Sequence, residues 1–392
     1  MAHYRYLIIG GGMTGEAAIR GIRELDSNGS IGLIGMEQDP PYKRPPLSKA
    51  LWKGKPLESI WRKTEGSGAE LHLGCKAVIL SPEKKEVRDA EGVTHTYDKL
   101  LVATGGTPRT LPFGGEDIIY FRTLKDYQRL RYLSEQSELI GVIGGGFIGS
   151  EIAAALTMNG IKTVMVVPEE GIAAHMVPRD LSLFLSDYYR KKGVELIAGE
   201  RLGRVEKKGD RLAMMTKSGR SIPVDGIVAG VGIQPNVELA LKAGLKTGNG
   251  IIVDEQLRAG HPDVFAAGDV AEFHNPALGK RIRVEHEDNA DTMGRQAGRN
   301  MAGAEEPYTH LPYFYSDLFE LGYEAVGELN SRLQTFSDWI ERHHKGVVYY
   351  LEGSRVRGVL LWNVWDQVDA ARKLIAEPGP FRPEDLKGRL PA

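Results

Sequence analysis

At 392 residues the chain exceeds the length at which one hydrophobic core stops growing, so two or three domains are expected; 42% hydrophobic and 26% charged residues are ordinary for a globular protein. Fifty Lys and Arg against 52 Asp and Glu leave a formal charge of −2 and no global basic field for nucleic acid. One cysteine, Cys75, excludes an intramolecular disulfide or redox-active cysteine pair and fits a reducing compartment, and no apolar run approaches the roughly 18 residues of a membrane span.

The first strand begins almost at the initiator Met, which predicts no signal or transit peptide and a cytoplasmic address. The apolar run Tyr6 to Ile9 ends in Gly10-x-Gly12-x-x-Gly15, with Thr14 inside the turn, and a helical stretch from Glu16 to Leu25 follows. That strand–turn–helix order is the context a dinucleotide fingerprint requires. The first glycine allows the tight turn, the second lets a pyrophosphate approach the backbone, and the third lets helix and strand pack closely. Ser30 to Gly35 reads as a second strand, with Glu37 just past its end, where a carboxylate can accept hydrogen bonds from both hydroxyls of an adenosine ribose. From Pro40 to Lys49 the prolines stiffen a segment that carries Arg44 and Lys49, presenting two cations on a rigid support near a pyrophosphate site. Short strands and turns from Ala69 to Thr96 precede a buried strand from Asp98 that ends in Ala103, Thr104 and Gly105. Small residues there let the chain cross a bound nucleotide.

Helical residues Leu124 to Gln136 lead to a second fingerprint, Gly144-x-Gly146-x-x-Gly149, enclosing Phe147 and Ile148 and opening a helix from Ser150 to Met158. Two such turns predict two nucleotides held face to face. The strand Thr163 to Val167 ends in Pro168, Glu169 and Glu170, and no Arg or Lys occurs between Lys162 and Arg179. An acid at Glu169 favours the free 2′-hydroxyl of NAD and repels the 2′-phosphate of NADP, so NADH is expected over NADPH. A helix from Asp180 to Lys192 stops at Gly193, Val194 to Ala198 is the next strand, and short strands run on to Gly232. Asp263 to Asp269 then forms a strand ending in Gly268-Asp269, where Asp269 suits capping of a following helix and binding of a sugar-alcohol hydroxyl, two compatible roles. A hydride relay needs a carrier that can pass electrons on; a flavin is one, and its ribityl chain would suit Asp269, so FAD is expected at the first turn. From Pro307 the tail alternates aromatic and polar residues in strand-like runs (Gly322 to Leu329, Lys345 to Leu351, Arg355 to Trp362) and closes with a helix, Asp366 to Ile375. The expected fold class is α/β: two Rossmann-like, doubly wound three-layer nucleotide-binding domains plus a small α+β C-terminal domain. Residues 1–110 and 236–306 would form the first, 111–235 the second and 307–392 the third. No metal site is expected. Tyr313, Tyr315, Trp362 and Trp365 fit either core or a homodimer interface, with core favoured for most.

With these motifs in view, the chain resembles the FAD-dependent pyridine-nucleotide oxidoreductases, of the glutathione-reductase-like architecture, and among them the ferredoxin and rubredoxin reductases and the reductase portion of apoptosis-inducing factor. The resemblance rests on Pro41 to Lys49, Ala103 to Gly105, Gly144 to Glu151, Pro168 to Gly171, Val264 to Asp269, Val284 to Asp288, Gly322 to Ala325 and Leu361 to Asn363. It implies that Glu37, Arg44, Lys49, Arg122 and Asp269 bind FAD and that Glu169 binds the NAD ribose. Thr14, Ala103, Thr104, Gly105, Phe147, Ile148, Gly232 and Gly268 would line the two nucleotides beside the motif glycines. It further implies a Lys49–Glu151 ion pair beside the reactive edge of the isoalloxazine. Glu285 and His286 would lie over the flavin on the helix after Gly268-Asp269, and Tyr315 and Asn363 would reach the nicotinamide.

Three departures matter. Tyr315 stands where relatives commonly have Trp. The basic insertions and targeting region of apoptosis-inducing factor are missing. No cysteine accompanies Arg44 to Lys49, which argues against thiol-mediated reduction; Cys75, in an expected strand, reads as a small buried hydrophobe. The implied function is hydride transfer from NADH to FAD and onward electron transfer to ferredoxin or rubredoxin. The alternatives are a flavoprotein that holds NADH in a long-lived charge-transfer complex, or a reductase of a small quinone-like acceptor.

Overall fold

The structure, a computed structural model, describes residues 2–209 and 211–391. The chain forms two compact units, each discontinuous in sequence: residues 1–43, 57–107 and 234–312 in one, and residues 44–56, 108–233 and 313–392 in the other.

In the first unit the strand Ala2–Ile9 lies between Ile31–Gly35 and Thr94–Val102, parallel to both; Ala69–Leu73 extends the sheet on one side and Val264–Ala266 on the other. Leu7, Ile8, Leu33, Leu100, Leu101 and Val102 are fully buried, as strands covered on both faces require. The helix Met13–Arg23 packs on Glu287–Met301, and backbone contact there is close: a Cβ on Gly298 would sit 2.1 Å from the carbonyl oxygen of Ala18. The first helix starts at Met13, not Glu16, because the glycine turn is itself the helix terminus, with Gly12 as its N-cap. The turn after Val264–Ala266 differs more from expectation. Gly268–Val270 is one 3₁₀ turn with Ala267 as N-cap, and two strands, Ala271–Asn275 and Lys280–Ile282, follow before Glu287–Met301 begins. Asp269 therefore caps no α-helix.

The second unit contains a fully parallel five-stranded sheet in the order Val194–Ala198, Lys162–Val167, Leu139–Ile143, Gly226–Ala229, Ile118–Tyr120. The helices Leu124–Glu135, Phe147–Met158 and Arg179–Lys191 are its crossovers. A capping box at Thr123 and Asp126 fixes the start of the first of these. A second, antiparallel sheet runs Tyr313–Leu318, Leu321–Gly327, Arg355–Trp362, Lys345–Glu352, Gln334–Glu341, with the helix Val368–Ala376 packed on it. That helix begins later than Asp366 because Asp366 has φ +63°, outside the helical region. Trp362 is fully buried, Tyr313 and Tyr315 are half-buried, and Trp365 is 48% exposed.

Candidate functional site

Each unit builds a nucleotide-type turn at the carboxyl end of a parallel strand, Ala2–Ile9 in the first and Leu139–Ile143 in the second. In the first unit Gly10 has φ +129°, and a Cβ on it would lie 2.1 Å from the Ala103 carbonyl oxygen; one on Gly15 would lie 2.1 Å from that of Gly10. Both positions thus exclude any side chain. No side chain of Gly12 caps the helix, and the partial positive charge of this terminus suits an anion. Gly268 packs on Thr14, whose Oγ1 would be 2.2 Å from an added Cβ, which brings Asp269 beside this turn. Ala103, Thr104 and Gly105 follow the neighbouring strand, and Thr104 is fixed by reciprocal hydrogen bonds: its Oγ1 donates to the Asn236 carbonyl at 2.8 Å, and Asn236 Nδ2 donates to its carbonyl at 2.9 Å. Glu37 accepts a 2.6 Å hydrogen bond from the Tyr42 hydroxyl, which orients its carboxylate.

His286 is the N-cap of Glu287–Met301, and its half-buried ring has its pKa pushed down to about 4 by desolvation, against the opposing pull of Asp269 and Asp288. The sequence reading missed Arg283, which donates to the Asp269 carbonyl at 3.1 Å and pairs with Glu285 at 2.9 Å, tying together the two acids it had singled out. A lone arginine in a short strand-to-helix link carries no pattern that would have revealed it. Cys75 lies between Ala69–Leu73 and Ala77–Ser81, not within a strand, and is half-buried. Its Sγ donates to Asp89 at 3.3 Å, and desolvation together with Asp89 pushes the thiol up to about 11. It is a protonated hydrogen-bond donor rather than a plain hydrophobe, and not a nucleophile.

In the second unit the same turn recurs. Gly144 has φ +103°, and a Cβ on Gly149 would lie 2.0 Å from the Gly144 carbonyl oxygen. Gly146, N-cap of Phe147–Met158, faces open space, Phe147 is 43% exposed and Ile148 is half-buried. Glu169 stands half-buried past the next strand, with His175 Nε2 2.9 Å from its Oε1, while Glu170 takes Arg179 at 2.7 Å. Arg179 is thus occupied by an acid, and the neighbour of Glu169 is an imidazole rather than an Arg or Lys. Gly232 follows Gly226–Ala229 and accepts a backbone hydrogen bond from Arg109 at 2.9 Å.

The same unit assembles the charged pair. Lys49 Nζ lies 2.8 Å from Glu151 Oε2, with both side chains largely buried, and 5.2 Å from the Tyr315 ring centroid. Ser48 donates to Glu151 Oε2 and Ser316 to Oε1, each at 2.6 Å. Arg44 donates to the Arg122 carbonyl at 3.1 Å. Asn363, at φ +50°, accepts from the Gly322 N–H at 2.7 Å and donates to the His344 carbonyl at 2.8 Å, so its amide is held at both ends by backbone. Among the described residues no cluster suits a metal ion, and no helix is long and apolar enough to cross a membrane.

Two βαβ units with glycine turns, an acid beyond the following strand in each (Glu37 and Glu169) and a buried Lys–Glu pair are the features of a two-nucleotide oxidoreductase. The sequence matches the family described as pyridine nucleotide-disulphide oxidoreductase over residues 4–295, and the C-terminal region of apoptosis-inducing factor over 297–344 and 337–377. It is 34% identical to the mitochondrial apoptosis-inducing factor 1 of Dictyostelium discoideum, covering 95% of this chain and 78% of that one. It is 29% identical to the ferredoxin–NAD(+) reductase component of the anthranilate 1,2-dioxygenase system of Burkholderia cepacia, over 97% and 96% of the two chains. The solved covalent complex of putidaredoxin reductase with putidaredoxin superposes with a TM-score of 0.91 at 28% identity, covering 98% of this chain and 95% of that one. The chain belongs to the pyridine nucleotide-disulphide oxidoreductase family, and it is an FAD- and NAD(H)-dependent oxidoreductase.

Proposed function

We propose that this flavoenzyme takes a hydride from NADH and delivers electrons to a small iron–sulfur protein of the ferredoxin or rubredoxin type, in the cytoplasm. We assign FAD to residues 1–110 and 236–306, NADH to 111–235, and an interface role to 307–392. The observation that carries the reading is the buried Lys49–Glu151 pair in a chain whose single thiol is held protonated by burial and Asp89. FAD, when bound, supplies hydride acceptance and release of electrons one at a time.

The rest is this chain's own residues. The N–H groups after Gly12 and Gly146 hold the two pyrophosphates, with Thr14, Gly15, Phe147, Ile148 and Gly149 shaping the turns, and Glu37 and Glu169 take ribose hydroxyls. Asp269 takes a ribityl hydroxyl, Arg44 and Arg122 supply positive charge, and Tyr315 and Asn363 border the nicotinamide. Lys49 offers positive charge to the negative charge that arrives with the hydride, a preorganised electrostatic contribution. Glu151 keeps that ammonium in place. His286 is neutral at pH 7 and adds none.

A second reading, in which bound NADH persists and the protein reports redox state, is favoured by the match of the C-terminal region to apoptosis-inducing factor. Anaerobic titration with NADH separates the two. Bleaching of the flavin followed by rapid recovery on adding a ferredoxin or rubredoxin supports the reductase. A long-wavelength band that survives air supports the sensor, and no bleaching overturns both.

A further inference from the structure

Glu151 is 3% exposed, and a carboxylate so buried is costly unless both of its oxygens are satisfied. They are, by three donors from two segments far from it in sequence. Oε2 receives Lys49 Nζ and Ser48 Oγ, and Oε1 receives Ser316 Oγ. Ser48 and Lys49 are adjacent, at the end of the 3₁₀ turn Pro45–Ser48, so the proline-stiffened segment delivers a hydroxyl and an ammonium together to one oxygen. Ser316 comes from Tyr313–Leu318, where its cross-strand partner is Tyr323. The buried Tyr323 hydroxyl is within hydrogen-bonding reach of Ser316, and burial keeps both it and nearby Tyr189 un-ionised, so neither adds an anion beside Glu151.

The segment is also anchored independently of Glu151. Asn159 Nδ2 donates to the Trp52 carbonyl at 3.0 Å, Trp52 Nε1 to the Leu47 carbonyl at 2.8 Å, and Arg131 stacks 5.2 Å above the Trp52 ring. The backbone that carries Lys49 therefore stays put whether or not the serines are present. What the serines control is the carboxylate. With only Lys49, Glu151 could turn about its terminal bonds and carry the ammonium with it.

We propose that Ser48 and Ser316 are positioning residues, whose hydroxyls lock the Glu151 carboxylate in the one orientation that holds Lys49 Nζ in place. The proposal rests on the flavoenzyme reading, and its test is read without NADH as well as with it. In the holoenzyme, Ser48→Ala/Ser316→Ala should shift the flavin midpoint potential negative, in the direction of Lys49→Ala, when titrated with a chemical reductant. Flavin reduction by NADH should slow about tenfold, the effect of losing a hydrogen bond to a charged group, with FAD content unchanged. Ser316→Ala alone should move both readouts in the same direction, whereas Ser316→Thr, which keeps the hydroxyl, should leave them at the parent's values.

The decisive comparison is the same double change in a Glu151→Gln background, where it should have no further effect on either readout. An unchanged potential and rate in the Glu151 background, or equal losses in both backgrounds, would overturn the proposal. If the parent protein were not reduced by NADH, the flavoenzyme reading would fail, while the chemical titration would still decide the role of the serines.

Discussion

Replacing Lys49 by alanine leaves both glycine turns intact, so FAD should be retained while flavin reduction by NADH slows on the order of a hundredfold, as when one preorganised donor is removed. Stopped-flow absorbance checks this; an unchanged rate would make Lys49 structural. His286 carries a pH prediction. Histidine in an unfolded chain titrates near 6.5, but this ring is held down to about 4 by burial, against Asp269 and Asp288. Between those values the unfolded state binds more protons, so the contribution to stability is whole above about 6.5 and is lost as pH falls towards 4. Urea midpoints of His286→Gln should fall less between neutral and acid pH than those of the parent. The motif glycines were legible because only glycine fits a backbone with φ +129° that abuts a carbonyl. Ser48 and Ser316 were not, since a serine is unremarkable in any segment and these two meet Glu151 only through tertiary structure.

The crossing of Met13–Arg23 with Glu287–Met301 rests on glycines for approach and on Arg62 for fastening. Arg62, 5% exposed in its side chain, pairs with Glu16 on one helix and with Asp291 on the other, at 2.5 and 2.6 Å. Arg62→Met would leave one oxygen of the buried Glu16 carboxylate without its partner while Arg20 keeps the other, and should cost about 2 kcal/mol in chemical denaturation. Lys53→Met, which breaks the exposed 2.9 Å pair with Asp317, should cost less than about 1 kcal/mol. Equal losses would show that burial does not set the value of these pairs. Apolar periodicity placed most strands of the two sheets that carry glycine turns to within a few residues, but not Ile118–Tyr120, which is too short to show a period. It served less well where one face does not decide burial: Gln334–Glu341 is half-buried along most of its length as an edge strand, and gave no alternation to read.

One core cluster of the second unit's parallel sheet, with Ile118, Ile143, Val164, Val166, Ile197, Met214, Val224 and Ile227 among its members, is drawn from residues within 111–231. A fragment of residues 108–233 should therefore unfold cooperatively by circular dichroism and, through Glu169, bind NADH in preference to NADPH by calorimetry. A non-cooperative transition would mean that the remainder of its unit is needed to complete the core. Two glycine turns announced two nucleotides from sequence, but the membership of residues 44–56 did not show there, because its neighbours in the chain on both sides belong to the other unit. That membership bears on how relatives could be recombined. Exchanging 108–233 alone between two reductases would introduce a foreign Glu151 to resident Ser48, Lys49 and Ser316. The smallest faithful graft is three pieces of chain, and a crossover that respects only contiguous sequence would inherit the second glycine turn without its matched charge.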